Sequence, residues 1–202
     1  GDVGFDPWLH TADEIERLRG VLAAAGIGLR ATGNMVDAIW PDQPPAPCGA
    51  AFVHPEAIAG ETSADKRARL AAGLRQRGAR AAVITLPDSI CWLLNIRGAD
   101  VPKNPVLQGF AVLHEDGRVD LFTDPAKIEV AVRAHLGPQV AISPPEAFVP
   151  ALAALTGPVQ VDRGTAPLAV SEALTAAGIA VVWGEDPCRL PKARKTGAEI
   201  AG

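Results

Sequence analysis

Apolar residues recur at helical spacing from Ile15 through Leu18, Val21 and Leu22 to Ala25, which predicts one amphipathic helix ending at Gly26. Thr11, with Glu14 three residues on, forms a capping box at its start. Gly1 to Asp6 reads as the end of a strand and its turn, and Ile27 to Ala31 as a short strand. Between Pro41 and Pro55 there are five prolines and little periodicity, the pattern of an extended linker. One striped helix and two short strands cannot bury that stripe by themselves, because domains are built from packed layers.

From Thr62 onward the pattern fills out. Thr62 to Gln76 is predicted helical, with Leu70 and Leu74 on its buried face, and Ala81 to Leu86 is a buried strand. Pro87-Asp88-Ser89 opens a helix carrying Ile90, Trp92, Leu93 and Leu94. Val106 to Leu113 and Arg118 to Thr123 flank Glu115-Asp116-Gly117, and Asp-Gly between apolar runs signals a hairpin. Asp124-Pro125 starts a helix reaching Leu136. Strands at Gln139 to Ile142, Val159 to Asp162 and Ile179 to Trp183 then alternate with helices at Pro145 to Leu155 and Ala166 to Ala177. The expected fold is α/β: a mixed sheet flanked by helices, preceded by the tail of a similar domain.

Composition narrows the function classes. Of 202 residues, 48% are hydrophobic and 21% charged, so a normal core can form. With 19 basic against 23 acidic residues the net charge is -4, which predicts no nucleic-acid partner and no anionic-lipid surface. The basic run Lys192, Arg194 and Lys195 is flanked by Glu199 and reads as a solvated helix start. No apolar run approaches the ~18 residues a membrane helix needs. No signal-peptide pattern is visible, and a start on Gly1 rather than Met gives that absence no weight. Cys48, Cys91 and Cys188 lie far apart without CxxC spacing, which fits a reduced, cytoplasmic setting.

Candidate chemistry is sparse. His10, His54, His114 and His135 stand alone, outside any HxxE, HxH or HExxH arrangement, so no metal site is expected in this chain. There is no GxSxG elbow and no P-loop. Gly26-Ile27-Gly28-Leu29-Arg30-Ala31 matches GxGxxA, but it follows a helix and enters a strand, the reverse of a dinucleotide site. Cys91 lies among apolar residues that disfavour a thiolate. Two stretches stand out. The loop Asn95 to Pro105 holds Arg97, Asp100 and Asn104 between an apolar helix and an apolar strand; an Arg97–Asp100 pair, with Asn95 and Gly98 capping the helix, would make it a plain turn. Asn34 to Pro41 joins a capping Asn34 to Trp40, the pattern of a short helix packing on its own domain.

Five blocks carry a resemblance: Gly4 to Thr11 (GFDPWLHT), Asn34 to Trp40 (NMVDAIW), Ala59 to Lys66 (AGETSADK), Asp88 to Val101 (DSICWLLNIRGADV) and Asp186 to Lys195 (DPCRLPKARK). In this order they resemble the three-domain Xaa-Pro aminopeptidases (aminopeptidase P) of the creatinase/prolidase superfamily. Met35 stands where leucine is usual in that family, and Thr196-Gly197 where an Asn tends to precede the next helix.

The resemblance implies a layout. Residues 1–58 would be the end of a first creatinase-like N-terminal domain plus linker, 59–190 a second such domain, and 191–202 the start of a catalytic domain. That catalytic domain would hold two manganese ions on two Asp, one His and two Glu, and none of its motifs occurs here. It would be the chain's partner, in an enzyme that forms a homodimer and removes the N-terminal residue from proline-containing Xaa-Pro peptides. Trp92, Asn95, Arg97 and Asp100 are the positions expected to touch substrate or the catalytic domain, with Arg97 suited to a peptide carboxylate. Two other readings stay open: a free-standing binding module, and the N-terminal region of another creatinase- or prolidase-type hydrolase.

Overall fold

The computed structural model describes residues 1–201. It opens with β1 (Asp2–Phe5), α1 (Ala12–Ala24) and β2 (Gly28–Ala31), where β1 and β2 pair in parallel as a two-stranded sheet. Thr11 accepts the Glu14 N–H and Glu14 accepts the Thr11 N–H, so the capping box forms as the sequence requires. The stripe of α1 is only partly covered: Ile15 is buried, while Val21 is 66% exposed. α2 (Met35–Ile39) starts at Asn34, whose side chain accepts the Val36 and Asp37 N–H groups. It buries no residue, and Trp40 stays 44% exposed, so the expected packing of this helix on its own domain does not occur. A five-residue helix with one polar cap has too short an apolar face to seat itself.

The proline-rich stretch is less of a linker than its composition suggests. β3 (Ala51–Val53) leads through α3 (Glu56–Ala59), α4 (Ser63–Gln76), β4 (Ala81–Ile84) and α5 (Pro87–Leu94) to β5 (Ile96–Gly98), and β3 and β5 pair antiparallel. Then follow β6 (Phe110–His114), β7 (Val119–Phe122), α6 (Val130–Leu136), β8 (Val140–Ser143), α7 (Phe148–Ala153), β9 (Val159–Val161), α8 (Leu168–Ala176), β10 (Val181–Trp183), α9 (Arg189–Ala193) and α10 (Gly197–Ala201). The main sheet has the order β10-β9-β4-β6-β7-β8, mixed as expected. β6 runs antiparallel to β4 and β7, and the remaining pairs are parallel.

Strand alternation divides the core into two layers. Ala82, Ile84, Ala111, Leu113, Val119 and Leu121 face α4, α5 and α6. Ala81, Val83, Val112, Phe122, Val159 and Val161 face α7 and α8. Phe148 of α7 stacks on Phe110 with ring centroids 4.4 Å apart, and Trp8 from the N-terminal piece lies 6.0 Å from Phe110. The N-terminal piece is tied down further by Leu168 N–H to the His10 carbonyl, Ala169 N–H to the Pro7 carbonyl, and Arg163 pairing with Asp13 and Glu16.

Two predicted elements come out differently. The strand expected from Val106 begins only at Phe110, because the Leu107 N–H donates to Cys91 Sγ and the Gln108 N–H to Asp100 Oδ2, which turns the segment off the sheet. The helix expected from Asp124 to Leu136 is a 3-10 turn, Pro125–Lys127, then a break before α6. Lys127 and Ile128 are both buried at this break.

Candidate functional site

α5 presents the conspicuous loop, and local chemistry defines both ends of the helix. Pro87 occupies its first turn with Asp88, where fixed φ and negative charge suit a helix start. Asn95 closes it in the left-handed region at φ 51, its N–H bonding the Cys91 carbonyl. The chain then reverses into β5, so Trp92 and Arg97 flank the same corner.

Those two residues share a shallow cavity of about 200 Å³, walled also by Asp88, Lys192, Lys195 and Glu199. The Arg97 guanidinium donates from Nη1 to the Ile96 carbonyl at 2.9 Å, and Arg97 lines the cavity. Lys192 pairs with Asp88. Burial pushes the Glu199 carboxyl up, but the Thr196 N–H and hydroxyl, with Lys195 and Lys66, outweigh it and hold the group below the usual carboxylate range. At Thr196-Gly197, where an Asn tends to precede the helix in the resembled family, Thr196 caps α10, accepting the Glu199 N–H while Glu199 accepts the Thr196 N–H at 2.7 Å. Thr196 also presses on Gly60, whose φ of 72 and lack of Cβ leave room for it.

Asn95 and Asp100 are turned elsewhere. Asn95 donates from Nδ2 to the Glu61 carbonyl at 2.8 Å and accepts from Lys66 Nζ at 2.7 Å. Asp100 accepts the N–H groups of Gly49 at 2.9 Å and Gln108 at 2.7 Å, and pairs with Lys127 Nζ at 2.9 Å. The Arg97–Asp100 pair that would make the loop a plain turn is therefore replaced by Asp100–Lys127. Both residues hold the corner together from inside, and only Trp92 and Arg97 reach the cavity.

Lys192, Lys195 and Glu199, read from the sequence as a solvated helix start, wall this cavity, and Lys66, not singled out by sequence, lies behind it against Trp92 and Asn95. Lys66 had a legible signal: it sits four and eight residues before Leu70 and Leu74, on the buried stripe of α4. His54 joins the edge, its N–H bonding the Asn95 carbonyl at 2.8 Å; burial, then Arg97 and Lys66, push its imidazole below the usual range. Among the described residues no three His, Cys, Asp or Glu side chains cluster so as to hold a metal ion, and the cavity's Asp88 and Glu199 are engaged by Lys192 and Thr196. This donor set does not fit a two-metal hydrolytic centre. No helix among the described residues is long and apolar enough to cross a membrane.

A mixed six-stranded sheet with helices on both faces and the α5–β5 corner at its margin has a counterpart among known proteins. The family profile described as Creatinase/Prolidase N-terminal domain matches residues 42–199, and the chain belongs to that family. It is 37% identical over 156 residues to a probable Xaa-Pro aminopeptidase P of Coccidioides posadasii, covering 76% of this chain and 25% of the relative. It is 37% identical over 135 residues to aminopeptidase P1 of Lotus japonicus, covering 66% of this chain and 20% of that protein. Among solved structures, an X-prolyl aminopeptidase from Caenorhabditis elegans, described as a cytosolic enzyme with a di-nuclear active site, aligns with a TM-score of 0.86 and 28% identity. That alignment covers 100% of this chain and 34% of the other. The chain spans about a quarter of the length of the curated relatives it matches.

Proposed function

We propose that this chain is the non-catalytic N-terminal region of an Xaa-Pro aminopeptidase-like metallopeptidase, and that it shapes substrate access and domain packing. One observation carries the reading: the alignment with the C. elegans structure runs along 100% of this chain yet occupies 34% of that enzyme. The chemistry would then reside in the remainder, the chain's own catalytic domain, with two metal ions, manganese by family resemblance. The donor set described above is consistent with that division. Residues 1–58, 59–190 and 191–202 are the tail of a first creatinase-like domain, a second such domain and the entry to the catalytic domain. The setting is cytoplasmic, supported by the neighbour described as cytosolic, and the assembly is a homodimer acting on proline-containing peptides.

In this reading Trp92 and Arg97 face the substrate's far end, where a guanidinium edge grips a carboxylate through two parallel N–H bonds. The test compares this chain with the complete enzyme containing it, each given manganese and an Xaa-Pro tripeptide. Turnover is expected only from the complete enzyme, and Arg97→Ala should raise its KM for the free acid about tenfold while leaving the C-terminal amide unaffected. Hydrolysis by this chain alone, or equal KM changes for acid and amide, would refute it.

A further inference from the structure

Lys66 lies in the first turns of α4 and is 1% exposed. An ammonium has three N–H bonds to place and accepts nothing. One goes to the Trp92 carbonyl at 3.0 Å and one to Asn95 Oδ1 at 2.7 Å. The group stands 4.4 Å from the centroid of the Trp92 ring, within cation–π range. All three acceptors belong to the last turn of α5 and its cap, where a positive charge opposes the exposed carbonyl dipoles favourably. Asn95, held by Lys66 on one side and by the Glu61 carbonyl on the other, is the left-handed residue that redirects the chain toward Arg97.

We propose that Lys66 is the positioning residue of the Trp92–Arg97 site, its ammonium fixing the tryptophan ring and the corner that aims the guanidinium. The site's role is the one proposed above; the latch itself is a property of this chain. Burial, the largest influence, pushes the ammonium below the usual lysine range. Glu61 and Glu199 favour its charge, while Arg97 and Arg69 oppose it. His54, at the edge of the corner, in turn feels Lys66. Loss of the proton removes the cation–π contact and one donor at once.

The difference in emission between this chain and its Trp92→Phe variant isolates one of the four tryptophans. From neutral pH upward that signal should titrate once, with a midpoint below the ordinary lysine value of 10.5. Lys66→Met should abolish the titration. Asn95→Asp, which sets a carboxylate against the ammonium, should move the midpoint upward by about one pH unit. A titration that persists in Lys66→Met, or a midpoint that ignores Asn95→Asp, overturns the proposal, and if Lys66→Met does not fold the second variant decides. In the complete enzyme Lys66→Met should raise KM for Xaa-Pro peptides about tenfold with kcat within about twofold. If emission responds as expected and KM does not move, the latch stands and the placement of substrate at Trp92 and Arg97 is what fails.

Discussion

The carboxylate of Asp100 and the ammonium of Lys127 meet at 2.9 Å with side chains 0% and 6% exposed. Taking one partner from a buried pair leaves the other charge uncompensated, at a cost of about 3–5 kcal/mol. Asp100→Asn should therefore lower the urea midpoint by a corresponding amount, followed by circular dichroism, while Arg97→Ala should change it by no more than about 0.5 kcal/mol. Equal effects would point back to an Arg97–Asp100 pair. Burial raises the Asp100 carboxyl, but the N–H of Gln108, Lys127 and the N–H of Gly49 together outweigh it, so its pKa falls below the ordinary 3.8. A depressed folded pKa gives stability that is present above the ordinary value and lost as pH falls through the folded one. The Asn variant should have a flatter acid limb.

Asp186 works in the opposite sense. Its Oδ2 and the Ser89 hydroxyl are both buried without a well-formed hydrogen bond, and burial, the leading cause, outweighs the help of the neighbouring Ser89 hydroxyl and the Cys188 N–H and pushes its pKa above 3.8. A raised folded pKa gives stability that is present below the ordinary value and lost as pH climbs through the folded one. Asp186→Asn keeps an acceptor for the Cys188 N–H that Oδ1 now takes at 2.8 Å and removes the ionisable group. It should stabilise the chain at pH 7 by about 1 kcal/mol, read as a higher urea midpoint. A lower midpoint would mean that the charge itself is needed.

Val21, Met35 and Ile39 expose 66%, 69% and 76% of their surface, more apolar area than a monomer's scattered surface residues need to show. The isolated chain should bind a hydrophobic dye, and the pair Val21→Glu with Ile39→Lys should reduce that fluorescence about twofold without lowering the urea midpoint beyond about 0.5 kcal/mol. A large loss of stability would show that these side chains are packed.

What the sequence made legible was mostly short-range. The Thr11–Glu14 box, the Asp116-Gly117 turn and the Pro87-to-Asn95 helix each depend on residues a few positions apart, and each appears as expected. The misses have distant causes. β3 becomes a strand because β5, more than forty residues on, offers it an edge. The helix ahead of α6 breaks because Lys127 is drawn to Asp100. Asn95 and Asp100 looked like site residues on the strength of their polarity, and the same polarity turned them inward to bond the segments around them. Trp40 looked like an anchor, but an aromatic side chain buries itself only where a surface waits for it.

Trp8 touches the rings of Phe110 and Phe148 across the gap between the N-terminal piece and the main sheet, at 6.0 and 6.4 Å. Aromatic rings held at fixed angles lend one another optical asymmetry. The near-ultraviolet dichroism of this one indole thus serves as a built-in gauge of whether the leading segment is seated, readable without any label.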